Sequence, residues 1–347
     1  MSKSSSMTLL STLLSVLLAT LLLTGCERTP PLQNIEGFAQ GTTYHITYWS
    51  AEPVDKGALQ KAVAERFAQI DAAMSGYRPD STIEQFNARP DTDPQTVGSD
   101  IVALVEQARA VHHASSGCYD ITIKPVFDLW GFRKDEFTPP TDATLRQTLD
   151  RTGMDKLIAV DATRLRKTVP TLQVDLSSIG QGYSVGQIAA VLESFGVRDY
   201  LAEIGGELQT RGHKPGRTPW RVAVEKPIVG ERKVEKILTI ERETPLAVMT
   251  SGTYRHFFDQ NGVRYSHILD ARNGRPVQHD TVAVTVLDAN PTAADAWSTA
   301  LLCVGVEAGL PLAEQHGIAA LFFTQDENGQ QEFASAPWRE LQGVTVE

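Results

Sequence analysis

Asp295 and Thr299 stand one helical turn apart in Ala294-Asp295-Ala296-Trp297-Ser298-Thr299-Ala300, so on a helix a carboxylate and a hydroxyl share one face. Two hard oxygen donors placed side by side can grip a hard divalent cation. The same pattern also suits a helix start, with Thr292 as N-cap, Asp295 as the capping carboxylate and Thr299 bonded back to a carbonyl. Further upstream, Val174-Asp175-Leu176-Ser177-Ser178-Ile179-Gly180-Gln181-Gly182-Tyr183 reads as a strand passing through small residues into a helix. The first N–H groups of such a helix can face an anion, although a plain connection would look alike. Met74-Ser75-Gly76-Tyr77 puts a tyrosine just past a helix end, where its ring can meet a flat ligand or anchor a loop. Ser116-Gly117-Cys118-Tyr119-Asp120-Ile121-Thr122 reads as a turn, and Ile204-Gly205-Gly206-Glu207 sets a Gly-Gly turn beside a carboxylate. The last cluster, Met249-Thr250-Ser251-Gly252-Thr253-Tyr254, leads through Tyr265-Ser266-His267-Ile268-Leu269-Asp270 to Asn273-Gly274. Walker-type, Gly-x-Gly-x-x-Gly, His-Glu-x-x-His and Cys-x-x-Cys patterns are all missing, which excludes the common phosphate-loop and zinc motifs.

These clusters need elements to hold them. Residues 42–49 are dense in β-branched and aromatic types and predict a strand. From residue 57 onward Leu59, Val63, Phe67, Ile70 and Met74 recur at helical steps. A capping box at Ser81-Thr82-Ile83-Glu84 opens a short helix, 101–114 reads as an amphipathic helix, and 141–153 as another. Strands are expected over 157–160, 172–176, 200–204, 220–224, 234–240, 246–250, 264–269, 282–287 and 319–323, and helices over 182–195, 293–304 and 307–316. Helices on predominantly antiparallel sheets, without regular βαβ alternation, define an α+β protein.

A formal net charge of −10 over 347 residues, with no run of Lys or Arg beyond the first residues, argues against a nucleic-acid binder. The N-terminus differs in kind: Lys3 precedes an apolar, leucine-rich run over 7–23 that reads as a secretion signal ending in Leu23-Thr24-Gly25-Cys26. That ending resembles a bacterial lipobox. It implies a signal peptide over 1–25, acylation of Cys26, a short tether over 26–34 containing Pro30 and Pro31, and a folded domain over 35–347. The body would then face an extracytoplasmic space. Cys118 and Cys303 could pair there, yet Cys303 lies in the apolar run Ala300-Leu301-Leu302-Cys303-Val304 and reads as a buried free thiol.

Taken in order, the clusters between Gly41 and Leu301 resemble the ApbE family of FAD:protein FMN transferases. The resemblance implies a single compact, T-fold-related domain in a Mg²⁺-dependent, FAD-binding protein, often a periplasmic lipoprotein anchored to a membrane. Its reaction attaches FMN by a phosphoester to a Thr or Ser of a flavin-accepting partner, such as a membrane redox subunit. Position by position, Gln40, Tyr77, Cys118, Tyr119, Asp120, Asp175, Gln181 and Ile268 fall where the family contacts FAD, and Ser178, Asp295 and Thr299 where it binds metal, with Ser298 assisting. Gln40, Gln181, Gly186 and the run Asp270-Ala271-Arg272-Asn273-Gly274 depart from the usual pattern. His267 is the candidate base, since an unperturbed imidazole suits neutral pH.

Overall fold

The structure, a computed structural model, describes residues 31–227, 233–327 and 329–347; the leader, Cys26 and most of the expected tether lie outside the described residues. Its frame is one antiparallel sheet whose strands run in chain order: β1 (Gln33–Ala39), β2 (Thr42–Trp49), β3 (Asp199–Ile204), β4 (Glu207–Gly212), β5 (Arg242–Gly252), β6 (Thr281–Asp288), β7 (Ala319–Asp326) and β8 (Gly329–Ala334). Each strand pairs with the next, so the sheet is a meander interrupted by helical insertions. Both faces are covered. Ala247 and Met249 of β5 point to a core shared with the helices, while Leu246 and Val248 point to a second core against a small sheet of Trp220–Glu225, Val234–Ile240 and Val344–Val346.

Four long helices build the other side: α1 (Lys56–Met74), α2 (Ser99–Ala114), α3 (Ser177–Ser194) and α4 (Pro291–Gln315). Asp55 caps α1 by accepting from the Ala58 amide, and the stripe Leu59, Val63, Phe67, Ile70 and Met74 is buried. Helices α3 and α4 meet at Gly182. A Cβ there would sit 2.3 Å from the Pro291 carbonyl oxygen and 2.6 Å from Asp295 Cβ, so only glycine lets the two backbones approach this closely.

The α+β class holds, and so do most expected elements. Three strands of the large sheet, β1, β4 and β8, were not foreseen, nor were short strands outside it such as Arg164–Lys167, Phe257–Gln260 and Val344–Val346, and Gln33 and Asn34 of the expected tether belong to β1. The helices expected over 293–304 and 307–316 run on as α4 through a kink at Gly305 (φ 75°, ψ 170°). Residues 172–176 form no strand although Leu172, Val174 and Leu176 point inward by alternation. The Asn87 side chain takes the ladder's place: it accepts from the Val174 amide at 2.7 Å and donates to the Val174 carbonyl at 2.9 Å.

Cys303 is buried as expected, but it is not a free thiol. It is bonded to Cys118, with the Cα atoms 6.0 Å apart. The apolar run reported burial correctly and carried no information about the turn that packs on it. Position 303 lies one helical turn beyond Thr299, which brings it over the 116–122 turn.

Candidate active site

Where α3, α4, β4 and the loop after β5 converge, they enclose a cleft of about 340 Å³. Tyr77, Cys118, Tyr119, Asp120, Asp175, Ser178, Gln181, His267, Ile268, Asp295 and Thr299, all singled out from the sequence, line it together. An adjoining cleft of about 660 Å³ shares Tyr77, Asp175 and Gln181 with the first. Gln40 lines only the second, at the β1–β2 turn, where it takes a left-handed φ of 53°.

Asp295 is held across two helices. The N-cap of α4 is Asn290, which accepts from the amides of Thr292 and Ala293, so Asp295 is not the capping carboxylate of its own helix. Its Oδ2 instead accepts from the Gly182 amide of α3 at 2.7 Å. Burial pushes its carboxyl up to about 7, against the lowering effect of the Gly182 and Gln181 amides. Thr299 is oriented by Ser251, whose Oγ lies 3.0 Å from Thr299 Oγ1.

Several expected roles change on inspection of the contacts. Ser298 does not reach the cleft: it is fully buried, donates to the Asp295 carbonyl at 2.9 Å and bonds Ser251 Oγ at 2.7 Å. It braces the donors from behind. The Cys118 sulfur is spent in the disulfide. The Asp120 carboxylate is taken up by the protein itself: Oδ1 accepts from Thr122 N and Oγ1 at 2.7 and 2.6 Å and Oδ2 from Met154 N at 3.2 Å. Both residues shape the wall rather than offer free polar atoms. Ser178 Oγ donates to Tyr119 Oη at 3.1 Å, and burial pushes the tyrosine phenol well above its usual range, so it stays protonated. Gln181 donates from Nε2 to the Ile204 carbonyl at 2.7 Å and packs on Gly205, leaving no room there for a Cβ.

Glu207, Ser251 and Arg255 line the same cleft and were not picked out as site residues. Burial, followed by the charge of Asp295, pushes Glu207 up to about 8, while Arg255 pulls it down. The Gly-Gly turn had marked its neighbourhood, but its convergence on Asp295 depends on the pairing of β4 with β5, which spacing along the chain does not reveal. His267 is half-buried, and its Nδ1 sits 2.8 Å from the His256 carbonyl oxygen. That contact assigns the proton to Nδ1 and leaves the Nε2 lone pair for the cleft. Burial holds the imidazole down to about 4.

The donor chemistry fits a hard divalent cation such as Mg²⁺. Two buried carboxylates, Asp295 and Glu207, raise each other's proton affinity, and the hydroxyls of Thr299 and Ser178 lie on the same wall. By contrast, Asp270 lies close to Cys118 and Cys303, but a disulfide offers no thiolate and that trio is not a metal site.

Fold and cleft together define an α+β protein whose ligand cleft is rich in hard oxygen donors. Residues 40–322 match the ApbE family. The chain is 36% identical to the FAD:protein FMN transferase of Vibrio cholerae serotype O1, over 92% of this chain and 95% of that protein. The solved flavin transferase ApbE from Vibrio cholerae superposes with a TM-score of 0.80 at 36% identity, covering 89% of this chain and 99% of its own. The apo form of the Pseudomonas stutzeri flavinyl transferase ApbE does so with a TM-score of 0.82 at 36% identity, covering 91% and 98%. The chain belongs to the ApbE family.

Proposed function

We propose that this chain is a Mg²⁺-dependent FAD:protein FMN transferase that breaks the pyrophosphate of FAD, joins FMN to a Thr or Ser hydroxyl of a partner protein and releases AMP. The observation that carries this reading is the pair Asp295 and Thr299, set on one face of α4 in the wall of a cleft that also presents Tyr77. A divalent cation held by Asp295, Thr299 and Ser178 would stabilise the negative charge that grows on the phosphoryl oxygens and on departing AMP. The amides of Gly182 and Gln181 fix the Asp295 carboxylate before any ligand arrives. Tyr77 offers its ring to the flavin, with the Arg133 guanidinium 5.4 Å from the ring centroid. The acceptor oxygen attacks the FMN phosphorus, the bond to AMP breaks, and the acceptor proton passes to Nε2 of His267. Burial keeps that nitrogen unprotonated at neutral pH.

We place the enzyme outside the cytoplasm, lipid-anchored through Cys26 to a membrane. The apolar leader ending at Cys26 and the Cys118–Cys303 bond both support that reading, since disulfides persist in oxidising compartments. Mixing protein, FAD, Mg²⁺ and a flavin-accepting protein tests the reaction. Flavin fluorescence on the denatured acceptor, matched by equal AMP, is the expected result. AMP with free FMN and no labelled acceptor would make the chain an FAD pyrophosphatase, and FAD binding without AMP would make it a flavin carrier.

A further inference from the structure

Arg255, in the turn after β5, lines the same cleft as Asp120, Asp175, Glu207 and Asp295. Among the described residues of that wall it is the one Lys or Arg, and of the four acidic residues beside it Asp120 spends its oxygens on Thr122 and Met154. Glu207 and Glu225 are within range of its charge. It lies over the Tyr254 ring, 5.9 Å from the centroid. On its other side is the Gly-Gly turn. A Cβ at Gly206 would sit 3.4 and 3.5 Å from the two Nη atoms, and the left-handed φ of 101° at Gly206 favours glycine in any case. The guanidinium therefore packs against the Gly-Gly turn beside Glu207. His267 lines the same cleft, within range of the Arg255 charge.

Resting on the transferase reading, we propose that Arg255 binds the non-bridging oxygens of the FAD pyrophosphate from the side opposite Asp295 and Thr299. A dianionic linkage entering a wall that holds Asp175, Glu207 and Asp295 needs cationic partners. A planar guanidinium matches phosphate geometry, and an ammonium would serve it as a point charge only. Specificity follows from the same contact: Arg255 acts on ligands that carry the pyrophosphate and is indifferent to the ring system.

Affinities of the full-length protein for FAD and for riboflavin, with Mg²⁺ present and acceptor absent, test this. Arg255→Ala is expected to weaken FAD binding about tenfold or more while riboflavin affinity stays within about twofold, and Arg255→Lys is expected to recover part of the loss. Unchanged FAD affinity in Arg255→Ala would overturn the assignment. A parallel loss for riboflavin would overturn it too, because a misshapen cleft harms both ligands. Neither readout requires group transfer, so a failure of the transferase reading, seen as wild-type protein that labels no acceptor, stays distinct from a failure of this one.

Discussion

Asp295, Glu207 and Tyr119, at one end of the cleft, are each no more than 6% exposed and locked by contacts across elements, whereas Tyr77 at the other end is 81% exposed and touched mainly by Arg133. The buried end resists burial of charge, since its carboxylates hold protons near neutrality; it is kept in shape by Gly182, by Ser298 and by the disulfide. The open end stores no such tension. Preorganised charge acts on the transition state, and an exposed ring contributes contact area to binding. Substitutions at the buried end should therefore change rate and stability, and substitutions at the open end affinity alone.

The largest effect is expected at Asp295. Asp295→Asn keeps an acceptor for the Gly182 amide and removes the charge, so FMN transfer should fall about a thousandfold with little loss of helix structure by circular dichroism. Next is the disulfide, which closes a loop of 185 residues: Cys118→Ala with Cys303→Val should cost about 2–5 kcal/mol in urea unfolding. If it left stability untouched, the buried end would not depend on that cross-link. Gly182→Ala should cost about 1–3 kcal/mol and slow transfer as well, because the added methyl meets Pro291 and Asp295 together.

At the open end Tyr77→Ala should weaken FAD about tenfold, by fluorescence titration, with unfolding free energy within about 0.5 kcal/mol of wild type. An equal loss of stability would erase the contrast between the ends. The smallest effect is one of pH. An ordinary imidazole would protonate near 6.5 and stop accepting a proton below that, but burial holds His267 down to about 4. The ratio of wild-type to His267→Asn transfer rates should therefore stay flat between about pH 5.5 and 8. A ratio that collapses below about pH 6.5 would mean the imidazole titrates normally.

The same contrast explains what the sequence disclosed. Tyr77, Asp295 and Thr299 were singled out by local patterns, a ring after a helix end and two oxygens one turn apart, that left a loop anchor and a helix cap open until the family resemblance was added; the structure sets all three on one cleft. Glu207 and Ser251 become partners of Asp295 and Thr299, and Arg255 of Glu207, only once β4 and β5 pair and α4 packs on β5. The backbone partners of Asp120 were hidden because a carboxylate in a glycine-rich turn looks the same with or without them. Residues 172–176 misled because alternation reports an inward face and not a paired strand.

The account turns on where a divalent cation binds. Anomalous scattering from crystals soaked with FAD and Mn²⁺ measures that directly. A peak bounded by Asp295, Thr299 and the FAD phosphates is the predicted result; bound FAD whose phosphates and metal both lie away from those two side chains would contradict it.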